Sequence, residues 1–425
     1  MAFTGAGGKT TGLFQLARAL EPPVVVANST HLGTWQTGFA DHHLIVSRPE
    51  DIERFAGQVE GVTLFTGAPG DDDRLQGLDL EILDALRELA DRFEIPVFLE
   101  ADGSRQRPLK APGDNEPVIP DWVTMVVVVA GLVGLGQPLN NDVVHRPERF
   151  TAISGIKIGE QITVEGLSRM LVHPQGGRKN IPKNARRVVV LNQADDQTRI
   201  DAGIRIGNQV GRAYDSILIT SLNEQRVWRV MEPAAGVILA GGRSSRFGQP
   251  KMLLDWQGKP LIRHTAEVAL SAGCDPLIVV TGAVVQPIQE ALTGLPVVFV
   301  HNPAWELGQS TSVRAGIGAL PENTGSVVFL LADQPFATTT LLRELVSRHS
   351  TTLAPAVAPR VMGQRANPVL FDRETFPRLL ELEGDTGGRA ILEHYQVEYV
   401  EWEDANLLRD IDTPDNYEQL RRLSK

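Results

Sequence analysis

The chain has 425 residues, 42% apolar and 22% charged, an ordinary globular composition with length enough for two domains. Its formal net charge of -11 argues against a general nucleic-acid binder or a protein held to anionic membranes, while leaving room for a local basic pocket that takes phosphates. The single cysteine, Cys274, excludes an intrachain disulfide and reads as a packing residue at a helix end.

A glycine-rich loop beginning at Gly5 leaves no space for a secretion signal. The longest apolar run, Val123 to Leu135, is too short and too interrupted by glycine to span a bilayer. The cytoplasm is therefore the expected location. Short apolar runs alternate with amphipathic stretches throughout, the pattern of α/β layers with mainly parallel strands.

In chain order, the first element is Thr4-Gly5-Ala6-Gly7-Gly8-Lys9-Thr10-Thr11, a short P-loop-like turn that opens a helix. That helix runs over Leu13 to Leu20, with Leu13, Leu16, Ala17 and Leu20 on one face. Backbone N–H groups of Gly5, Gly7 and Gly8 would cradle phosphates, Lys9 would reach the outer phosphates, and the Thr10 hydroxyl would meet Mg2+. Phe3 stands where the standard pattern has glycine, and only Met1 to Phe3 precede the loop as a strand.

Strands follow at Val24–Ala27, Leu44–Ser47, Val62–Phe65 and Pro96–Glu100. The last ends in two carboxylates, of which Asp102 is the preferred second Mg2+ ligand and Glu100 stands behind it. Further strands are expected at Thr124–Ala130, Arg187–Leu191 and Ser216–Thr220. After the second of these, Asn192 and Asp195 sit as in the guanine-reading turn of GTP-binding proteins, with Gln193 in place of the usual lysine. An ordinary strand-to-loop turn is the alternative.

Arg229 to Ala235 is the natural boundary, giving units of 1–232 and 235–425. Strands of the second unit are expected at Gly236–Leu239, Leu277–Thr281, Val297–Val300 and Val327–Leu331, with shorter ones near Ala354–Val357 and Asn367–Phe371 and a helix over Leu261–Ala272.

The chemistry of the second unit begins in the loop at 239–251. Leu239 and Ala240 lead into Gly241 and Gly242, whose backbone can approach phosphate closely. Ser244 and Ser245 can donate hydrogen bonds, and Arg246 and Lys251 add positive charge as catalytic residues. Asp333 follows an apolar strand directly, at the end where open α/β sheets bind ligands, and its carboxylate suits Mg2+. Asp412 could complete that metal site. Each aspartate alone could equally open a helix.

Six motifs in order resemble the molybdenum cofactor cytidylyltransferase family, the MocA-like nucleotidyltransferases: LAGGRSSRFGQPKMLL at 239–254, HNPAWELGQSTSVRAGI at 301–317, LADQP at 331–335, GQRANPVLF at 363–371, GDTGGRAIL at 384–392 and DIDTPDNY at 410–417. The resemblance implies a Rossmann-like domain with a mixed sheet that transfers CMP from CTP to molybdopterin cofactor and releases pyrophosphate. By position it puts Arg246 and Lys251 on the triphosphate and Asp333 and Asp412 on Mg2+. It lines the pterin-phosphate side with Asn302, Gln309, Ser310, Ser312, Asn367, Asp385 and Arg389. Gly241 departs from the cytidylyl pattern, Leu-Ala-Ala-Gly, toward the guanylyl one, so GTP stays open as the donor.

The first half resembles the YqeC-like accessory proteins of selenium-dependent molybdenum hydroxylases, through GAGGKTT at 5–11, LEADGSRQRPLKAP at 99–112 and VHRPERF at 144–150. That resemblance implies a P-loop-like parallel-sheet domain, with the Lys110-Ala111-Pro112 turn and the His145–Arg146 pair near the phosphates, and a molybdenum hydroxylase as partner. The expected protein is thus a two-domain α/β maturation factor. The alternatives are guanylyl or other nucleotidyl transfer to a different phosphate acceptor, and a nucleotide-gated cofactor-delivery chaperone.

Overall fold

A computed structural model of the chain describes residues 1–70, 73–242 and 250–423. The chain divides into two compact units, Met1–Met231 and Glu232–Lys425.

The first unit contains strands β1 (Ala2–Gly5), β2 (Val24–Asn28), β3 (His42–Ile45), β4 (Val62–Thr66), β5 (Val97–Glu100), β6 (Met125–Gly131), β7 (Arg186–Asn192), β8 (Ser216–Ser221) and β9 (Arg226–Met231). They form one sheet in the order β9-β8-β7-β6-β1-β5-β2-β4-β3, parallel except for β9. The three-residue stub expected before the first loop is instead the four-residue centre of this sheet, with β1 paired to β5 on one side and β6 on the other. Short length is no handicap there, because both faces and both edges of β1 are covered. Along β6, Val126, Val128 and Ala130 enter one core and Val127 and Val129 the other. Burial on both faces is why these strands read as unbroken apolar runs.

Strand β9 was not expected. Its residues are exposed or half-buried, since it lies at the edge with β8 as its partner. An edge strand facing solvent lacks the apolar run that marks its neighbours, so the expected boundary at Arg229 cut into it.

The second unit contains β10 (Ala234–Ala240), β11 (Leu277–Thr281), β12 (Val297–His301), β13 (Ser326–Leu331), β14 (Ala356–Val361), β15 (Gln364–Arg365), β16 (Val369–Asp372) and β17 (Val397–Glu401). The sheet runs β12-β11-β10-β13-β16-β14-β15, with β17 also on β14. β16 is antiparallel to β13 and β14, which makes the sheet mixed. Alternate residues of β10 feed two cores, Ile238 and Ala240 on one side, Ala235 and Val237 on the other. Cys274 is buried beside Leu277, and burial pushes its thiol up to about 12, so it behaves as a packing residue. Among the described residues, no helix is long and apolar enough to cross a membrane.

Candidate functional site

Each unit has a cleft at the carboxyl ends of its parallel strands, where the strand order reverses. In the first unit β1 lies between β5 and β6, and the loop after it turns into helix α1 (Lys9–Ala19). Gly8 has a φ of 126°, and a Cβ there would lie 2.2 Å from Asn192 Nδ2. Only glycine lets the loop close over that side chain.

A chain of charges underlies the loop. The Lys9 ammonium donates to Gly5 O at 2.8 Å and lies 3.2 Å from Asp102 and 3.8 Å from Glu100. Asp102 also pairs with Lys110 at 2.9 Å and accepts from Gly5 N at 3.1 Å. Lys110 continues to Glu116 at 3.1 Å, and Arg146 grips the same carboxylate with bonds of 2.8 and 3.1 Å. Although burial works against it, the Arg146 and Lys110 cations hold Glu116 down to about 2. Burial first, and then the positive charges of Arg146 and Lys110, push His145 down to about 4.

This geometry corrects the assignment of Asp102 as a metal ligand. Asp102 is 1% exposed and committed to two lysines beneath the loop. Of these two strand-end carboxylates, Glu100 is the one that lines the cleft, and it accepts a hydrogen bond of 2.8 Å from Thr10 Oγ1. Burial raises Glu100 above the usual carboxylate range despite the nearby Lys9 and the bond from Thr10.

The supposed base-reading turn is also spoken for. Asn192 Nδ2 donates to Gly7 O at 2.7 Å, while Asn192 Oδ1 accepts from Leu222 N at 2.9 Å and Thr220 Oγ1 at 3.2 Å. Asp195 accepts from Ser221 Oγ at 2.6 Å and pairs with Arg199 at 3.4 Å. Neither lines the cleft, whose volume is about 1650 Å³. Asn192 thus fastens the glycine-rich loop to the turn after β8.

In the second unit, β10 and β13 are parallel neighbours with Leu239 opposite Leu331, so Gly241–Gly242 and Ala332–Asp333 emerge side by side. Lys251 ion-pairs with Asp333 and lies 3.8 Å from Asp412. Asp410 joins this acidic corner, where its Oδ1 accepts from Gln334 Nε2 at 2.8 Å. Burial raises Asp410, partly offset by Gln334, with Asp333 and Asp412 adding to the rise. The cleft, of about 530 Å³, is lined by Leu239, Gly241, Gly242, Lys251 and Asp333 from the expected nucleotide set and by Gln309, Ser312 and Asp385 from the expected acceptor set.

Other expected site residues point elsewhere. Ala240 is in the core. Asn302 is buried and its amide donates to Thr311 Oγ1 at 2.8 Å and Ser312 Oγ at 3.0 Å. Ser310 is buried and bonds Gly384 O at 2.7 Å, which ties the segment after β12 to the 384–387 turn. These two shape the wall that Gln309, Ser312 and Asp385 present. Asn367 and Arg389 do not line the cleft. Ser244, Ser245 and Arg246 lie outside the described residues. Trp305, Glu306 and Leu307 line the cleft and were not singled out, although they sit within the 301–317 motif. The signal was available: Trp305 and Leu307 are large apolar residues in the short connection between β12 and the helix Gln309–Gly318.

Residues 236–400 match the MobA-like NTP transferase domain, and residues 1–148 match the YqeC protein family. The chain is 33% identical to the YqeC protein of Escherichia coli K12, over 45% of this chain and 75% of that one. It is 32% identical to the nicotine blue oxidoreductase of Paenarthrobacter nicotinovorans, over 44% of this chain and 95% of the relative. It is 30% identical to the molybdenum cofactor cytidylyltransferase of Escherichia coli K12, over 43% of this chain and 92% of the relative. A two-site α/β protein with a strand-end cleft in each unit is the class that the fold defines. The chain belongs to the YqeC family through its first unit and to the MobA-like, molybdenum cofactor cytidylyltransferase-related nucleotidyltransferases through its second, which makes it a nucleotidyltransferase.

Proposed function

We propose that the second unit transfers CMP from CTP to molybdopterin cofactor. An oxygen of the acceptor's phosphate attacks the α-phosphorus of CTP, the bond to the β-phosphate oxygen breaks, and pyrophosphate leaves. The observation that carries this reading is the convergence of Asp333 and Asp412 on Lys251 beside Gly241 and Gly242. A phosphate monoester is largely dianionic at neutral pH, so the attacking oxygen needs no base. What the reaction needs is neutralisation of charge on the α-phosphate and the leaving pyrophosphate. The site is suited to that, and none of the described residues lining the cleft is a histidine.

Two hard carboxylates facing one cation form a donor set that fits Mg2+, with Asp333 and Asp412 as the residues that would hold it. Bound there, the ion would supply electrostatic stabilisation of phosphate charge. Lys251 would then be released from Asp333 toward the triphosphate. Gln309, Ser312 and Asp385, which line the same cleft, orient the acceptor. Similarity to an oxidoreductase does not alter this reading, because folds host several chemistries and the charged triad suits phosphates rather than hydride transfer.

The first unit, in this proposal, binds nucleotide phosphates at Gly5–Thr10 and helps deliver the finished cofactor to a molybdenum hydroxylase in the cytoplasm. There Thr10 and Glu100, rather than Asp102, are the pair that would meet Mg2+. The deciding assay is pyrophosphate release with Mg2+, offering CTP or GTP against molybdopterin cofactor and against sugar phosphates. Turnover of CTP with molybdopterin cofactor is expected. Consumption of a sugar phosphate alone would overturn the proposal, and turnover of GTP alone would replace the cytidylyl reading by the guanylyl one.

A further inference from the structure

The first unit lacks a base-reading element where its sequence suggested one, yet its cleft, at about 1650 Å³, exceeds the roughly 300–1000 Å³ usual for a small-molecule pocket. The wall facing the phosphate loop is a small flap. Leu32–Gly33 and Arg74–Leu75 form a two-stranded antiparallel ladder with Gly33 opposite Arg74, and Thr34 N bonds Asp73 O at 2.9 Å. The flap is tied to the loop, because Gln36 Nε2 donates to Thr10 Oγ1 at 2.8 Å while Gln36 Oε1 accepts from Gly33 N at 2.8 Å.

Trp35 lies between those two anchors, lines the cleft and is 60% exposed. It ends an aromatic row that starts on α1, with Phe14 and Phe39 centroids 5.5 Å apart and Phe39 and Trp35 centroids 5.7 Å apart. Edge contact with Phe39 braces the indole without covering it. The Arg74 guanidinium, on the same flap, is exposed and lines the cleft.

We infer that Trp35 is the base platform of the first unit: a nucleotide whose phosphates lie on Gly5–Thr10 stacks its ring on this indole, with Arg74 adding positive charge at the same wall. The inference rests on the reading of the loop as a phosphate site. Every base has a π-face, so recognition by stacking tolerates all of them. The unit should therefore accept nucleoside triphosphates with little regard to base. A turn built on Asp195 would instead select guanine.

The test is equilibrium binding of fluorescent, non-hydrolysable ATP, GTP and CTP analogues to the full chain with Mg2+. Lys9→Ala identifies which class of sites belongs to the first unit. Trp35→Ala should weaken that class by roughly ten- to hundredfold, the range that base–aromatic stacking supplies, and Trp35→Phe should retain most of the affinity. Asp195→Ala should leave it unchanged, and the three analogues should agree within about tenfold. Thermal melting of each variant checks that the unit stays folded. Full-strength, Lys9-dependent binding in Trp35→Ala would overturn the inference while sparing the phosphate loop. Binding of the GTP analogue alone, lost in Asp195→Ala, would do the same. Absence of any Lys9-dependent class would overturn both.

Discussion

Both units place a glycine-rich turn after a central parallel strand, but they treat the lysine of that turn in opposite ways. Lys9 is 4% exposed and balanced within the protein by Asp102 and Glu100, with Lys110 on the far side of Asp102. Lys251 sits at the cleft margin with its side chain 22% exposed, between carboxylates that are themselves 20% and 55% exposed. A buried, compensated cation is part of the floor on which a ligand rests. A cation at the margin, held by groups that can exchange it for a metal or a phosphate, can take part in chemistry. On the proposed function, the same loop pattern serves binding in one unit and catalysis in the other.

The sharpest break of that comparison is a pair of carboxylate deletions. Asp102→Ala leaves Lys9 and Lys110 buried without their common counter-ion and should cost about 3–5 kcal/mol of stability, read as a shift in the denaturant midpoint of the first unit. Asp333→Ala should change stability by less than about 1 kcal/mol, because its pair with Lys251 is partly solvated. The same change should slow pyrophosphate release by roughly 10²–10³-fold. If Asp333→Ala unfolds the second unit, or leaves turnover intact, the contrast between floor and reactive margin is wrong.

A smaller effect is expected at Gly241. A Cβ there would lie 3.0 Å from Ser312 Oγ, so Gly241→Ala narrows the nucleotide side of the cleft by one methyl group. Preference for CTP over GTP should rise by roughly tenfold in kcat/KM, the scale of a one-carbon change in a pocket. No change in the ratio would mean that the base is read elsewhere.

The smallest effect is on pH dependence, and in the first unit His145 is where it should be read. His145 is pushed down to about 4, below its ordinary value near 6.5, so it stays neutral in the folded state where the unfolded chain would take up a proton. Its contribution is full above about 6.5 and is lost as pH falls toward 4, by about 1 kcal/mol once solvent screening is allowed for. Glu116, held at about 2, adds its own loss only below about 4.5. Unfolding midpoints of His145→Gln between pH 7 and 5 should decline less than those of the parent, with the remainder left to His43, which burial also lowers.

Much of the fold was legible because buried parallel strands are continuous apolar runs. Val62–Thr66, Met125–Gly131 and Leu277–Thr281 needed no partner to be recognised. The edge strand Arg226–Met231 and the late strand Val397–Glu401 were missed, as both mix polar and apolar residues. In the sites, the glycines, the lysines and the strand-end acids were visible as residue types at set positions. Which of two acids faces a cleft was not. Glu100 and Asp102 are two residues apart, and the turn after β5, not the alternation of the strand, sends one to Thr10 and the other beneath Gly5.

By itself, then, the sequence determined two α/β units, each with a phosphate-type loop followed at a distance by acids at a strand end, because local propensity and burial impose those patterns residue by residue. Only the tertiary structure decided how the charges are shared. Asp102 meets Lys110, Asp333 meets Lys251, and Asn192 closes on Gly7, across sequence separations that no local pattern encodes. It also placed Trp35 at the cleft, through a flap whose two strands are only two residues each. Whether a charge is spent inside the protein or kept for a ligand depends on those long-range neighbours, since burial and an opposite charge together set what an ionised group can still bind.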